Sequence, residues 1–95
     1  MIQVTLLTRP DCHHCEDARR ILGRLAREYP LQLSSLDIDS ADGQEVAMRG
    51  GLLFPPGIVV DGRPFCFGRP SEGRLRREFD RLAGSASTSP PGSKR

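Results

Sequence analysis

The chain has 95 residues, 37% hydrophobic and 27% charged, with 14 Lys and Arg against 12 Asp and Glu for a net charge of +2. A polar C-terminal stretch leaves about eighty residues to fold, which suits one small domain with a modest core and excludes a disordered chain. The arginines are interspersed with acids, Met1 to Thr8 lacks the pattern of a secretory signal, and no run approaches the ~18 apolar residues of a membrane span; a cytoplasmic protein with no nucleic-acid and no membrane partner is expected.

Ile2 to Leu7 is a β-rich apolar run, halted by the turn-forming Thr8-Arg9-Pro10-Asp11, and reads as a buried strand. From Cys12 to about Glu28 the apolar residues Ala18, Ile21, Leu22, Leu25 and Tyr29 recur at three- and four-residue steps. Glu16, Asp17, Arg19, Arg20, Arg24 and Arg27 occupy the opposite face. That spacing predicts an amphipathic helix, acidic early and basic late as the helix dipole favours, and ended by Pro30. Leu31 to Ile38 follows as a second strand. Leu31 and Leu33 fall on one parity and Leu36 and Ile38 on the other, so a bulge is expected near Ser34-Ser35. Asp39-Ser40-Ala41-Asp42 caps a short helix carrying Val46, Ala47 and Met48 and closed by Gly50-Gly51.

Phe54-Pro55-Pro56 leads into Gly57 to Val60, Asp61-Gly62 is the strongest two-residue hairpin signal, and Arg63 to Phe67 is the returning strand. A last helix from Ser71 carries Leu75, Phe79 and Leu82 on one face. The domain is expected to span 1–83, with 84–95 a disordered Ser/Pro/Gly-rich tail. The order is β-α-β, a helix, a hairpin and a helix. A β-α-β unit demands two parallel strands with a right-handed crossover, and the hairpin adds two antiparallel ones. The expected fold is therefore α/β: a four-stranded mixed sheet flanked by three helices, the thioredoxin-like architecture.

The three cysteines are too few for a disulfide scaffold, and Cys12 and Cys15 stand three apart at a helix start. In a first helical turn, residues i and i+3 lie side by side, within reach of an ordinary disulfide. Cys12 at or beside the N-cap meets free backbone N–H groups and the positive end of the dipole, which can lower a thiol pKa of ~8.5 into the range ~3.5–7.5. Arg9 and a protonated His13 or His14 push the same way, and Asp11, Glu16 and Asp17 oppose it. The expected chemistry is thiol–disulfide exchange, with the Cys12 thiolate as nucleophile on a substrate disulfide and Cys15 resolving the mixed disulfide. The plain alternatives are that the cysteines are small core residues and the histidines solvent-facing. Strand alternation places Cys66 opposite Phe65 and Phe67, as a buried filler or a third redox site.

These motifs, in order over residues 2 to 82, resemble the glutaredoxin branch of the thioredoxin superfamily, particularly its short bacterial glutaredoxin-like proteins. Arg9-Pro10-Asp11-Cys12-His13-His14-Cys15 is similar to the family's active-site segment, and Arg9 stands where a Lys commonly contacts a glutathione carboxylate. The resemblance implies that Pro56, before the third strand, is cis and faces the cysteine pair. It implies a substrate groove including Pro55, which has no N–H to offer in strand-like pairing with a substrate. The family's Gly-Gly-x-Asp segment is represented by Gly68-Arg69-Pro70-Ser71, where Arg69 offers a cation to an acidic ligand and Ser71 a helix cap.

A monomer with no tightly bound cofactor is expected, using glutathione or another low-molecular-weight thiol and acting on a disulfide-containing protein or a small-thiol mixed disulfide. Two rivals differ in class. One is a metal or iron–sulfur binding module using Cys12, Cys15 and a histidine, although a structural zinc site recruits a second ligand pair and only Cys66 remains. The other is a thioredoxin-like interaction domain without turnover, in which a paired dithiol would have no use.

Overall fold

The computed structural model describes residues 1–51 and 54–87. Strand β1 (Ile2–Thr8) leads to helix α1 (His13–Leu25), strand β2 (Leu31–Asp37), helix α2 (Ala41–Gly50), strands β3 (Gly57–Val60) and β4 (Arg63–Phe67), and helix α3 (Glu72–Ser87). The sheet runs in the order β2-β1-β3-β4, with β1 parallel to β2 and antiparallel to β3, and β3 antiparallel to β4. This is the mixed sheet with three helices that the sequence implies.

Alternation along β1 divides the core between two layers. Ile2, Val4 and Leu6 join Ala18, Leu22 and Leu25 of α1, Leu75 and Phe79 of α3, and Ile58 and Val60 of β3. Leu7 and Val59 face the other way, onto Ile38 and Ala47. Because helices cover both faces, the parity change in β2 needs no bulge: Leu31 belongs to the first layer, and Leu36 and Ile38 to the second. The β1–β2 register accordingly runs unbroken from Ile2↔Leu31 to Thr8↔Asp37, correcting the expected bulge at Ser34-Ser35. Leu33, on this edge strand, is left exposed, as is Met48 on the outer side of α2.

The bulge lies in β4 instead. Val59 pairs with Pro64 and Ile58 with Cys66, leaving Phe65 as the extra residue. Pro64 has no N–H for a ladder and is tolerated in a strand only at an edge or a bulge, both of which β4 supplies. Simple alternation then fails: Phe65 and Cys66 both pack on the α1–α3 layer, so Cys66 is not opposite Phe65. Phe67 stacks edge-on against Phe54, with centroids 5.0 Å apart.

The capping signals act as the sequence suggests. Ser40 Oγ accepts from the Gly43 N–H at 3.0 Å, and Gly51 closes α2 in the left-handed region at φ 67°. Asp61 and Gly62, at φ 50° and 81°, form the hairpin turn with both central residues at positive φ. Helix α1 ends at Leu25, earlier than Pro30 requires, because the Arg27 and Glu28 N–H groups bond to carbonyls three residues back in a tightened last turn. Helix α3 continues to Ser87, so residues 84–87, assigned to the tail from composition, are helical. Residues 88–95, the rest of the expected tail, lie outside the described residues.

Candidate active site

Parallel pairing of β1 and β2 brings the loops that follow them to one end of the sheet. The Ile38 N–H donates to the Thr8 carbonyl at 2.8 Å, carrying the pairing one step past the strand ends. Antiparallel pairing of Leu7 with Gly57 sets the start of β3, and so Pro55-Pro56, at the same end. The Pro55–Pro56 peptide is cis and the Pro56 side chain is fully buried, its carbonyl accepting from the Gly68 N–H at 2.8 Å.

Between β1 and α1 the chain turns at Asp11, which adopts the left-handed region at φ 59°. Asp tolerates that conformation better than a branched residue. The turn leaves Cys12 extended at the N-cap of α1, where its Sγ takes the place of a capping oxygen and accepts from the Cys15 N–H at 3.1 Å. Cys12 and Cys15 are joined as a disulfide with Cα atoms 5.2 Å apart. Their surroundings differ: Cys15 is buried, at 2% exposure, while Cys12 is half-buried at the surface. Cys12 is thus the more accessible residue of the pair.

His13 and His14 are both exposed, and His14 Nδ1 lies 3.8 Å from an Asp17 carboxylate oxygen. Asp17 also accepts from Arg20. Arg9 does not stand free: its guanidinium donates through Nε at 3.2 Å and through an η-nitrogen at 3.4 Å to the two carboxylate oxygens of Asp39. Arg69 is exposed, one residue after the Gly68 that holds Pro56. Ser71 serves as a cap, its Oγ accepting from the Arg74 N–H at 3.3 Å and its carbonyl from the Leu75 N–H. The sequence-predicted residues thus converge at one end of the sheet, with Ser71 in a structural role at the start of α3.

Two features of this end have no local signature in the sequence. Asp39 was legible only as capping chemistry, and its pairing with Arg9 follows from the parallel register. Phe54, 51% exposed, and Phe67, 40% exposed, form an aromatic pair beside the prolines. Cys66 is half-buried on the α1–α3 layer, where burial pushes its thiol above the usual range and the Arg74 charge pulls weakly back. Among the described residues no three or more His, Cys, Asp or Glu side chains gather as metal ligands. A cleft of about 200 Å³ between α2 and the sheet, lined by Gln3, Thr5, Val46, Arg49 and Val59 among others, holds none of the predicted site residues. No helix among the described residues is long and apolar enough to cross a membrane.

Comparison with known proteins places this geometry. A family model described as a glutaredoxin-like domain matches residues 3–80. Over 84 residues the chain is 27% identical to a protein of Archaeoglobus fulgidus named probable thioredoxin, covering 88% of this chain and 92% of that one. Over 74 residues it is 30% identical to a thioredoxin of Methanocaldococcus jannaschii, covering 78% and 87%. Among solved structures, a thioredoxin from Halobacterium salinarum aligns with a TM-score of 0.69 at 19% identity, covering 95% of this chain and 78% of that one. Mitochondrial thioredoxin 3 of Saccharomyces cerevisiae, in its oxidized form, aligns with a TM-score of 0.67 at 19% identity, covering 85% and 78%. At those identities the structural likeness speaks for the fold alone.

Proposed function

The chain belongs to the glutaredoxin-like domain family of the thioredoxin superfamily, with the fold and paired cysteines of a thiol–disulfide oxidoreductase, and from that premise we propose that it reduces disulfides through Cys12 as nucleophile and Cys15 as resolving thiol. The observation that carries this assignment of roles is the asymmetry of exposure across the pair, Cys15 buried at 2% and Cys12 at the surface on the helix N-cap. An attacking sulfur must be reachable, and a resolving one need reach only its neighbour.

The Cys15 N–H aimed at Cys12 Sγ and the N-terminal end of α1 both favour negative charge on that sulfur. In the reductive direction the Cys12 thiolate attacks one sulfur of the substrate disulfide, forming a mixed disulfide and expelling the other sulfur as a thiolate. Cys15 then loses its proton and attacks Cys12 Sγ, closing the internal disulfide and releasing the second substrate thiolate. Two electrons have passed to the substrate, whose two thiolates are protonated by the proton Cys15 released and by solvent. A low-molecular-weight thiol such as glutathione, or a reductase, restores the dithiol, and no resident cofactor takes part. Substrates in this reading are disulfide-containing proteins or small-thiol mixed disulfides, met in the cytoplasm by a monomer, with His13, His14, Pro55, Pro56 and Arg69 bordering the groove.

Reduction of insulin and of bis(2-hydroxyethyl) disulfide, with dithiothreitol, glutathione or thioredoxin reductase as donor, tests the reading. Turnover with at least one donor is expected. Inactivity with every donor would instead favour a thioredoxin-like interaction domain.

A further inference from the structure

Arg9 and Asp39 stand 30 residues apart in sequence and are brought together by the parallel strands that precede them. Thr8 and Asp37 are partners in the register, and the Ile38 N–H bonds to the Thr8 carbonyl, so Arg9 and Asp39, one and two residues further on, meet above the strand ends. The resulting ion pair is two-pronged, at 3.2 and 3.4 Å, with both side chains about half exposed. Arg9 lies three residues before Cys12, on the loop that delivers the reactive sulfur. A carboxylate carried by a disulfide ligand at Cys12 would find its nearest basic side chain along that loop in Arg9, and would have to displace or share it with Asp39.

We propose that Asp39 is an internal competitor for ligand carboxylates at Arg9, a specificity-determining residue that biases the dithiol away from anionic small-molecule disulfides such as oxidised glutathione and toward neutral disulfides and protein disulfides. The proposal rests on the disulfide-reducing reading above. Asp39 is built to hold its post without help from the ion pair. Its own N–H donates to the Asp37 side chain at 2.8 Å, the Ser40 hydroxyl donates to the Asp37 carbonyl at 2.7 Å, and the α2 cap starts at the next residue. Removing the Asp39 charge therefore frees Arg9 while leaving the loop fixed.

The experiment compares the wild-type chain with Asp39→Asn, using dithiothreitol as donor, on oxidised glutathione and on the uncharged bis(2-hydroxyethyl) disulfide. In both cases Cys12 attacks one substrate sulfur, the leaving thiolate departs, and Cys15 expels the second thiolate as the internal disulfide closes; of the two substrates only oxidised glutathione carries carboxylates, and the comparison that isolates them is variant against wild type on each substrate. For the variant, kcat/KM on oxidised glutathione should rise about threefold, the scale of one exposed charge pair, with the gain in KM rather than kcat. Activity on the neutral disulfide should stay unchanged. The gain should vanish in 0.5 M salt and in the double variant Asp39→Asn with Arg9→Gln, which a merely structural role for Asp39 would not produce. Equal gains on both substrates, or none on oxidised glutathione while the neutral disulfide is still turned over, would overturn the competitor role alone. If neither protein reduces either disulfide, the oxidoreductase reading falls, and the proposal with it.

Discussion

The two ends of α1 are built for opposite purposes. At its N-terminus the partly exposed Cys12 occupies the cap, its partner Cys15 is buried one turn on, and the flanking His13 and His14 stand in solvent. At its C-terminus the chain is tied to α3: Arg24 and Arg76 both bond to Glu72, Arg76 reaches both oxygens of Glu28, and the Tyr29 hydroxyl donates to Asp80 at 2.5 Å. Between them Ala18, Leu22 and Leu25 are fully buried against β1 and α3. A reactive group can be left under-covered at one end of a helix because the other end and the middle fix where it points. On the proposed assignment of Cys12, chemistry and anchorage are separated along one element.

If that division is right, the largest effect on activity must come from the N-terminal end. Cys12→Ser should abolish insulin reduction, a loss of at least about a thousandfold in kcat, as expected when a nucleophile is removed. Cys15→Ser should instead accumulate a mixed disulfide with the substrate, visible as a mass adduct on Cys12. A Cys12→Ser protein with near-normal turnover would end the assignment of that sulfur as nucleophile. Next in size is an effect on stability from the middle of the layer. Phe79 is fully buried and its ring meets Tyr29 at a centroid distance of 5.7 Å. Phe79→Ala should cost about 3–5 kcal/mol in denaturant unfolding, a large share of what a domain this small possesses. A cost under about 1 kcal/mol would mean that the α1–α3 layer is not the anchor.

Much of this division is legible in the sequence alone. Hydrophobic periods of 3.6 and 2, the Ser40 and Gly51 caps and the Asp61-Gly62 turn act within a few residues of themselves, so local chemistry decides them. The cysteine pair was legible for the same reason, since i and i+3 at a helix start need no tertiary knowledge. The family resemblance supplied the cis Pro56. What the sequence hid depends on register between distant segments. Arg9 with Asp39, and Arg76 with Glu28 and Glu72, require the strands and helices to be docked first, and each charged residue alone reads as a solvated one. The bulge expected at Ser34-Ser35 presumes a strand buried on one face, whereas β2 is covered on both, and Pro64 marks the true position in β4.

The anchor end makes a further prediction through pH. Hydrogen bonds from Arg76 to Glu28 and from Arg24 to Glu72, the larger causes, hold both carboxyls below the usual carboxylate range. A carboxyl lowered on folding contributes stability that is in place above its unfolded value and is lost as pH falls through its folded value. The melting temperature of Glu72→Gln should therefore lie below that of the wild type at pH 7, and the gap should narrow as pH falls through the lowered range of the Glu72 carboxyl. A gap that did not vary with pH would mean the residue acts by packing alone. Arg24 and Arg76 are raised by these partners and remain charged throughout that interval.

The smallest effect is expected from the sulfur that shares α1's layer without sharing its N-terminus. Cys66 is held by the bulge against the same apolar cluster, and burial, with only the Arg74 charge opposing it, raises its thiol. A raised thiol is protonated near neutrality and slow to attack, so Cys66→Ser should leave insulin reduction within about twofold of wild type. In the fully reduced protein, iodoacetamide at pH 7.5 should modify Cys12 before Cys66, and modification of Cys66 should accelerate as pH is raised past the ordinary thiol range near ~8.5. Mass mapping of the first-labelled site decides it. Prior labelling of Cys66 would show that helix capping confers no advantage on Cys12, and the contrast between a sulfur at a helix tip and a sulfur in a sheet would lose its chemical meaning.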